Sequence, residues 1–224
     1  MTETFKSDEQ IQRDVIEELK WNSRVNETDV GVTVSNGVVA LRGTVASYGE
    51  KLAAQEAAHR VVGVLDVANE LDVSLNESES RTDIEIAKAV RLALEWDVWV
   101  PDTQIQSTIS KGWVTLEGKV GLMRERNDAE RAIRNLSGVR GVTNHIEVIM
   151  PAIEAEEVRE VIEDALDRRA HRKAEHIRIE VKDGVVTLGG KVRSWQEKRA
   201  VLGAVSHAPG VCVVSDHLII NPYG

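Results

Sequence analysis

The sequence predicts an α+β chain of three tandem αββαβ modules, each a three-stranded mixed sheet with two helices on one face. Three observations predict it. First, Gly37-Val-Val-Ala-Leu-Arg-Gly43, Gly112-Trp-Val-Thr-Leu-Glu-Gly118 and Gly184-Val-Val-Thr-Leu-Gly-Gly190 recur 75 and then 72 residues apart. Second, alignment outward from these anchors needs no gap. Leu19, Leu94 and Leu166 coincide upstream; Val45, Val120 and Val192, then Ala57, Ala132 and Ala204, then Gly63-Val64, Gly138-Val139 and Gly210-Val211 coincide downstream. Third, the apolar period changes from helical to alternating and back within each copy. The modules are placed at residues 6–75, 80–150 and 153–222.

The elements follow in order. A first amphipathic helix is expected near 8–21, 83–96 and 155–169, with Ile11, Val15 and Leu19 on one face. The first strand alternates through Val30, Val32 and Val34 in copy one and Ile177, Ile179 and Val181 in copy three. In copy two Ser107 interrupts Ile105 and Ile109, which predicts a weaker strand. Asn36-Gly37, Lys111-Gly112 and Asp183-Gly184 suit a two-residue type I′ hairpin, whose central residues both need positive φ. The second strand places Val39, Leu41, Gly43 and Val45 on one face. A second helix is expected from about 48, 123 and 195. Ser47 with Glu50, and Ser194 with Glu197, fit a capping box that Leu122 breaks in copy two. Gly63, Gly138 and Gly210 are expected to stop that helix. A last strand is expected at Val67–Val73, Val142–Val148 and Val214–Ile220.

The 224 residues carry a formal charge of −9, which disfavours general binding to a nucleic-acid polyanion. Residues 1–80 hold 7 basic against 15 acidic side chains, whereas 81–151 hold 10 against 10 and 152–224 hold 11 against 12. The first module is therefore acidic and the others nearly neutral. One cysteine, Cys212, permits neither an intrachain disulfide nor a cysteine-rich zinc site, and it is expected to be a buried small hydrophobe. The opening residues carry no basic and apolar leader pattern, and no apolar run reaches the ~20 residues of a membrane-spanning helix. A cytoplasmic location is the expectation.

The helix, alternating strand, x-Gly hairpin, Gly-x-Val-x-Leu-x-Gly strand, second helix and Gly-Val-x-x-Val ending resemble the BON domain, named for bacterial osmotically inducible and nodulation proteins. The resemblance covers all three modules. It implies non-enzymatic modules, implicated in envelope or osmotic-stress protection, that bind phospholipid or other hydrophobic partners.

The residues themselves point to the junction of the second strand and second helix as a lipid or partner site. Tyr48, Met123 and Trp195 are equivalent there, and basic residues accompany them: Lys51; Arg124 and Arg126; Arg193, Lys198 and Arg199. An aromatic tip beside cations at a helix N-terminus attracts an anionic surface. The alternative is that the aromatics pack on a neighbouring module while Glu50, Glu125 and Glu197 complete helix caps. A second candidate is an interface formed by Arg168, Arg169, Arg172 and Lys173, which equally complement a helix dipole. Trp113, at the position of Val38 and Val185, faces away from the Val–Leu core and is a candidate contact between modules or subunits.

No histidine recurs in all three copies, and His171 and His176 are five apart, unlike the i, i+4 pair of a helical zinc site. No nucleophile elbow, phosphate loop or dinucleotide fingerprint is present. The expected function is binding or scaffolding without catalysis or cofactor. The expected partners are proteins, further copies of the chain or anionic phospholipid, with neither nucleic acid nor a small-molecule substrate.

Overall fold

A computed structural model describes residues 6–74, 81–149, 154–170 and 177–222. The first module runs α1 (Asp8–Trp21), β1 (Val30–Ser35), β2 (Val38–Val45), α2 (Tyr48–Ala58) and β3 (Asp66–Val73). The second runs α3 (Asp83–Trp96), β4 (Ile105–Ser110), β5 (Trp113–Val120), α4 (Met123–Ile133) and β6 (Gly141–Val148). The third runs α5 (Ala155–Ala170), β7 (Ile177–Lys182), β8 (Val185–Val192), α6 (Trp195–Ser206) and β9 (Val213–Ile220). Each sheet has three strands with the second in the centre. β1 pairs antiparallel with β2, and β2 parallel with β3; β4, β5 and β6 repeat that pattern. By contacts the chain divides into two compact units. The first is Met1–Ser80 with Val192–Gln196 and Ile220–Gly224; the second is Arg81–Lys191 with Glu197–Ile219.

The core sits on one face of each sheet because alternate β2 side chains point to one side. Val39, Leu41 and Val45 are buried, as are Ile11, Val15 and Leu19 of α1 and Ala53, Ala54, Ala57 and Ala58 of α2. The alanines let α2 lie close to the sheet, and Leu71 of β3 completes the same cluster. Val114, Leu116 and Val120 repeat this face in the second module, and Val186, Leu188 and Val192 in the third. The opposite face is open and polar. Across it Arg42 Nε meets Glu70 Oε2 at 2.6 Å, raising the Arg42 pKa and lowering that of Glu70 through the bond and their opposite charges.

Both residues of each hairpin turn have positive φ: Asn36 50° and Gly37 75°, Lys111 51° and Gly112 80°, Asp183 49° and Gly184 73°. That is the type I′ geometry the dipeptides predict. In two modules an aspartate on the first helix grips the turn. The N–H groups of Asn36 and Gly37 donate to Asp8 Oδ2 and Oδ1 at 2.7 and 2.9 Å, and those of Lys111 and Gly112 to Asp83 at 2.8 and 2.9 Å. Ala155 holds the equivalent position in the third. Gly43 has φ 133°, and a Cβ there would collide with the Asp29 carbonyl, which explains the glycine repeated at Gly118 and Gly190.

β4 matches β1 in length, six residues each, and pairs fully with β5, but Ser107 is only half-buried where Val32 is buried, so its core face packs less apolar surface. Two expectations need correction. Gly63 and Gly138 do not stop the second helices, which end at Ala58 and Ile133; the chain continues in turns through the right-handed caps His59 and Arg134 before reaching each glycine. The capping box at Ser47 forms on one side only. Ser47 Oγ accepts the Glu50 N–H, but the Glu50 carboxylate takes the N–H groups of Ala46 and Asn26. Glu125 also accepts from the residue before the cap, Gly121, but adds the N–H of the cap residue Leu122, whose side chain has no hydroxyl to return the bond.

Candidate functional site

The three strand–helix junctions begin the second helices at Tyr48, Met123 and Trp195, each half-buried. The cations that the sequence groups with them divide into two sets. Lys51, Arg126 and Lys198 occupy equivalent positions and are turned inward onto the last strand of their own module. Lys51 Nζ donates to the Leu71 carbonyl at 2.7 Å, Arg126 Nη2 to the Asn144 carbonyl at 3.0 Å, and Lys198 Nζ to the Leu218 carbonyl at 3.0 Å. Arg124, Arg193 and Arg199 are exposed.

The strand side of this tether is a polar position that sequence reasoning passed over. Asn69 Nδ2 donates to the Lys51 carbonyl at 3.0 Å and to Gln55 Oε1 at 3.1 Å, while its Oδ1 accepts the Leu71 N–H at 3.3 Å. Asn144 makes the corresponding bonds to the Arg126 carbonyl, Glu130 Oε2 and the Ile146 N–H. Asp216 stands there in the third module. It accepts the Leu218 N–H at 2.9 Å but has no N–H to donate, and instead pairs with Lys198 at 2.8 Å. The signal was legible: Asn69, Asn144 and Asp216 lie in register, each a polar residue in the middle of a strand.

The second module carries a different surface. At the end of α3, Trp96, Val98 and Trp99 are 78%, 87% and 62% exposed. The equivalent residues after α1 are Trp21, Ser23 and Arg24, so this copy alone adds two large apolar side chains to the Trp21/Trp96 position. The Arg124 guanidinium lies 5.7 Å from the centre of the Trp99 ring, within cation–π range. Ile84 and Leu92 are exposed along the outer face of α3, where they line a shallow groove of about 490 Å³ with Ala87, Lys88, Arg91 and Glu95. Trp113 points to the open sheet face as expected and remains 55% exposed.

In the first unit Trp195 is held differently. Its ring stacks on His59 with centroids 3.9 Å apart and planes 18° from parallel, and it packs against the cluster that includes Leu41 and Ala58. In the second unit a cleft of about 730 Å³ is lined by Met123, Arg126, β6 from Asn144 to Val148, and Cys212 to Val214. Cys212 is half-buried, less enclosed than expected, and burial raises its thiol pKa. Of the basic cluster, Arg172 and Lys173 lie outside the described residues. Arg168 and Arg169 fall within α5, and their side chains also lie outside the described set. Among the described residues no group of three or more His, Cys, Asp or Glu could hold a metal ion. No described helix is long and apolar enough to cross a membrane.

The BON domain family model matches residues 7–74, 82–150 and 154–222. This chain belongs to the BON domain family. The three BON domains coincide with the three αββαβ modules, and family membership supports a binding or scaffolding role rather than a catalytic one. No curated protein matches the chain in sequence. Among solved structures, the chain is similar to CdsD, a structural protein of the type III secretion system of Chlamydia trachomatis. The identity is 13% and the TM-score 0.26, covering 93% of this chain and 91% of that one. The C-terminal domain of CdsD gives 13% identity and a TM-score of 0.28, covering 97% of this chain and 100% of its own. Similarity that low says nothing of what these BON domains bind.

Proposed function

We propose that this chain is a non-enzymatic scaffold that acts through protein–protein contacts or self-association, with the tryptophan-rich surface of its second BON domain as the contact. The observation that carries the reading is the concentration of large exposed apolar side chains there. Ile84, Leu92, Trp96, Val98 and Trp99, on and just after α3, are five of the fourteen such residues among those described, while Trp113 lies on the open sheet face. Leaving that much apolar surface in water costs free energy, about 25 cal/mol per Å², which a partner recovers by covering it. Tryptophan and arginine are also the side chains most enriched at interface centres.

Light scattering after size-exclusion chromatography, over a range of concentration and salt, tests self-association. The wild type is expected to show a concentration-dependent mass. Val98→Ser with Trp99→Arg, which restores the first module's residues, is expected to reduce it. A strict monomer under all conditions would exclude self-association and leave a different protein as the partner.

A second reading, peripheral binding of anionic phospholipid, is favoured by one observation: the exposed Trp99–Arg124 pair joins an amphipathic ring to a cation. Lys51, Arg126 and Lys198 add little to it, since each is bonded within its own module. Co-sedimentation with vesicles containing or lacking anionic phospholipid separates the readings. Absence of binding at low salt overturns the lipid one.

A further inference from the structure

We infer that Trp195 is an intramolecular clasp, by which the first module holds the aromatic tip of the third and keeps it from solvent and partners. Three observations converge on it. The Trp195 ring lies 3.9 Å from His59, nearly parallel, and rests on the first module's core cluster. The five residues Val192–Gln196 fall by contacts in the same compact unit as the first module, apart from most of the third. And of five tryptophans, Trp21, Trp96, Trp99 and Trp113 are exposed, whereas Trp195 is not.

The seat is built for an aromatic ring. His59 is 8% exposed and is the buried polar or charged side chain among the described residues. It caps α2 after Ala53, Ala54, Ala57 and Ala58, a helix side too small to cover an imidazole. The equivalent residues in the other modules are Arg134 and Ser206, and those equivalent to Trp195 are Tyr48 and Met123. Both partners of the stack therefore depart from the repeat, and they depart together. A planar imidazole against an indole gives stacking beyond simple area burial. Release of the clasp would present an indole flanked by the exposed Arg193 and Arg199, the basic aromatic tip that the closed form withholds.

The clasp is measurable without any partner, so its failure is distinct from failure of the scaffold reading. The full chain labelled with 5-fluorotryptophan gives one fluorine resonance per indole, and Trp195→Phe assigns the one at issue. With a soluble gadolinium chelate as probe, Trp195 is expected to broaden several-fold less than the other four. His59→Ala is expected to bring its broadening to their level, while His59→Phe, which preserves a stacking face, keeps it protected. His59→Gln replaces the alanine variant should that lose its far-UV circular dichroism. Equal broadening of all five resonances in the wild type would overturn the clasp. So would continued protection of Trp195 in a folded His59→Ala or His59→Gln chain.

Discussion

The Trp113 indole lies across Gly141, its register partner on the adjacent parallel strand. A Cβ at Gly141 would enter the ring, so the two residues are a matched pair. The first module has Val38 with Asp66 at these positions, and the third has Val185 with Val213. Gly141→Val is therefore expected to destabilise the second module by about 1–3 kcal/mol, as overpacking does. Trp113→Val added to it should recover part of the loss by restoring the third module's pair. Hydrogen exchange of β5 and β6 amides checks the coupling. Simple additivity of the two changes would show that the indole and the glycine are independent.

The first helices of modules one and two start with capping boxes whose reciprocal residue is a neutral Gln10 in one and a charged Glu85 in the other. The Ser7 N–H donates to Gln10 Oε1, whereas the Thr82 N–H and hydroxyl both donate to Glu85 Oε2. Those bonds favour the ionised carboxylate and hold the Glu85 pKa below its usual value. A depressed carboxylate pKa contributes stability that is complete above the unfolded value of about 4.3 and is lost as pH falls through the folded one. Relative to the intrinsic amide rates, which slow in acid, protection at the N-terminus of α3 is thus expected to fall further with pH than protection at the N-terminus of α1, whose reciprocal cap is a neutral amide. Glu85→Gln should make α3 behave like α1. An unchanged acid response in that variant would remove Glu85 as the cause.

How much of this was legible in the sequence depends on what each residue answers to. The modules, the hairpins and the buried Val–Leu face follow from steric and periodic rules that act within a few residues. Gly43 must be glycine because of Asp29, and Leu41 must be apolar because its strand alternates. Side-chain destinations were not legible in the same way. Lys51, Arg126 and Lys198 read as cations near a helix start. Their length lets them reach a strand 20 or 18 positions onward, a matter of tertiary placement. The Trp195–His59 stack was invisible for the same reason, since each residue alone looks like an ordinary departure from the repeat.

The Lys198 tether gives a direct test of that division. Its side chain is 13% exposed and bonds both Asp216 and the Leu218 carbonyl, whereas Arg199 beside it is exposed. Lys198→Met leaves Asp216 facing a neutral chain and is expected to cost about 1–3 kcal/mol in the third module. Arg199→Met should change stability by less than about 0.5 kcal/mol. Asp216→Asn should be tolerated better than Lys198→Met, because it restores the amide found at Asn69 and Asn144. Equal effects of Lys198→Met and Arg199→Met on thermal unfolding would contradict the tether.

Asp8 offers the clearest link between a helix and a turn. Its two carboxylate oxygens accept the N–H groups of Asn36 and Gly37, so α1 fixes the β1–β2 hairpin from 28 residues away. The third module does without this, having Ala155, which makes it a natural control. Asp8→Ala removes two charge-assisted bonds, each worth about 1.5 kcal/mol or more when well formed. Amide exchange at Asn36 and Gly37 is expected to accelerate by roughly 100-fold, the factor that about 3 kcal/mol gives, toward the rate at Asp183 and Gly184, with β3 unaffected. If the hairpin amides of the variant exchanged at the wild-type rate, the type I′ geometry alone would be sufficient to protect the turn. The aspartate would then serve only the N-terminus of α1, where an acidic side chain complements the helix dipole.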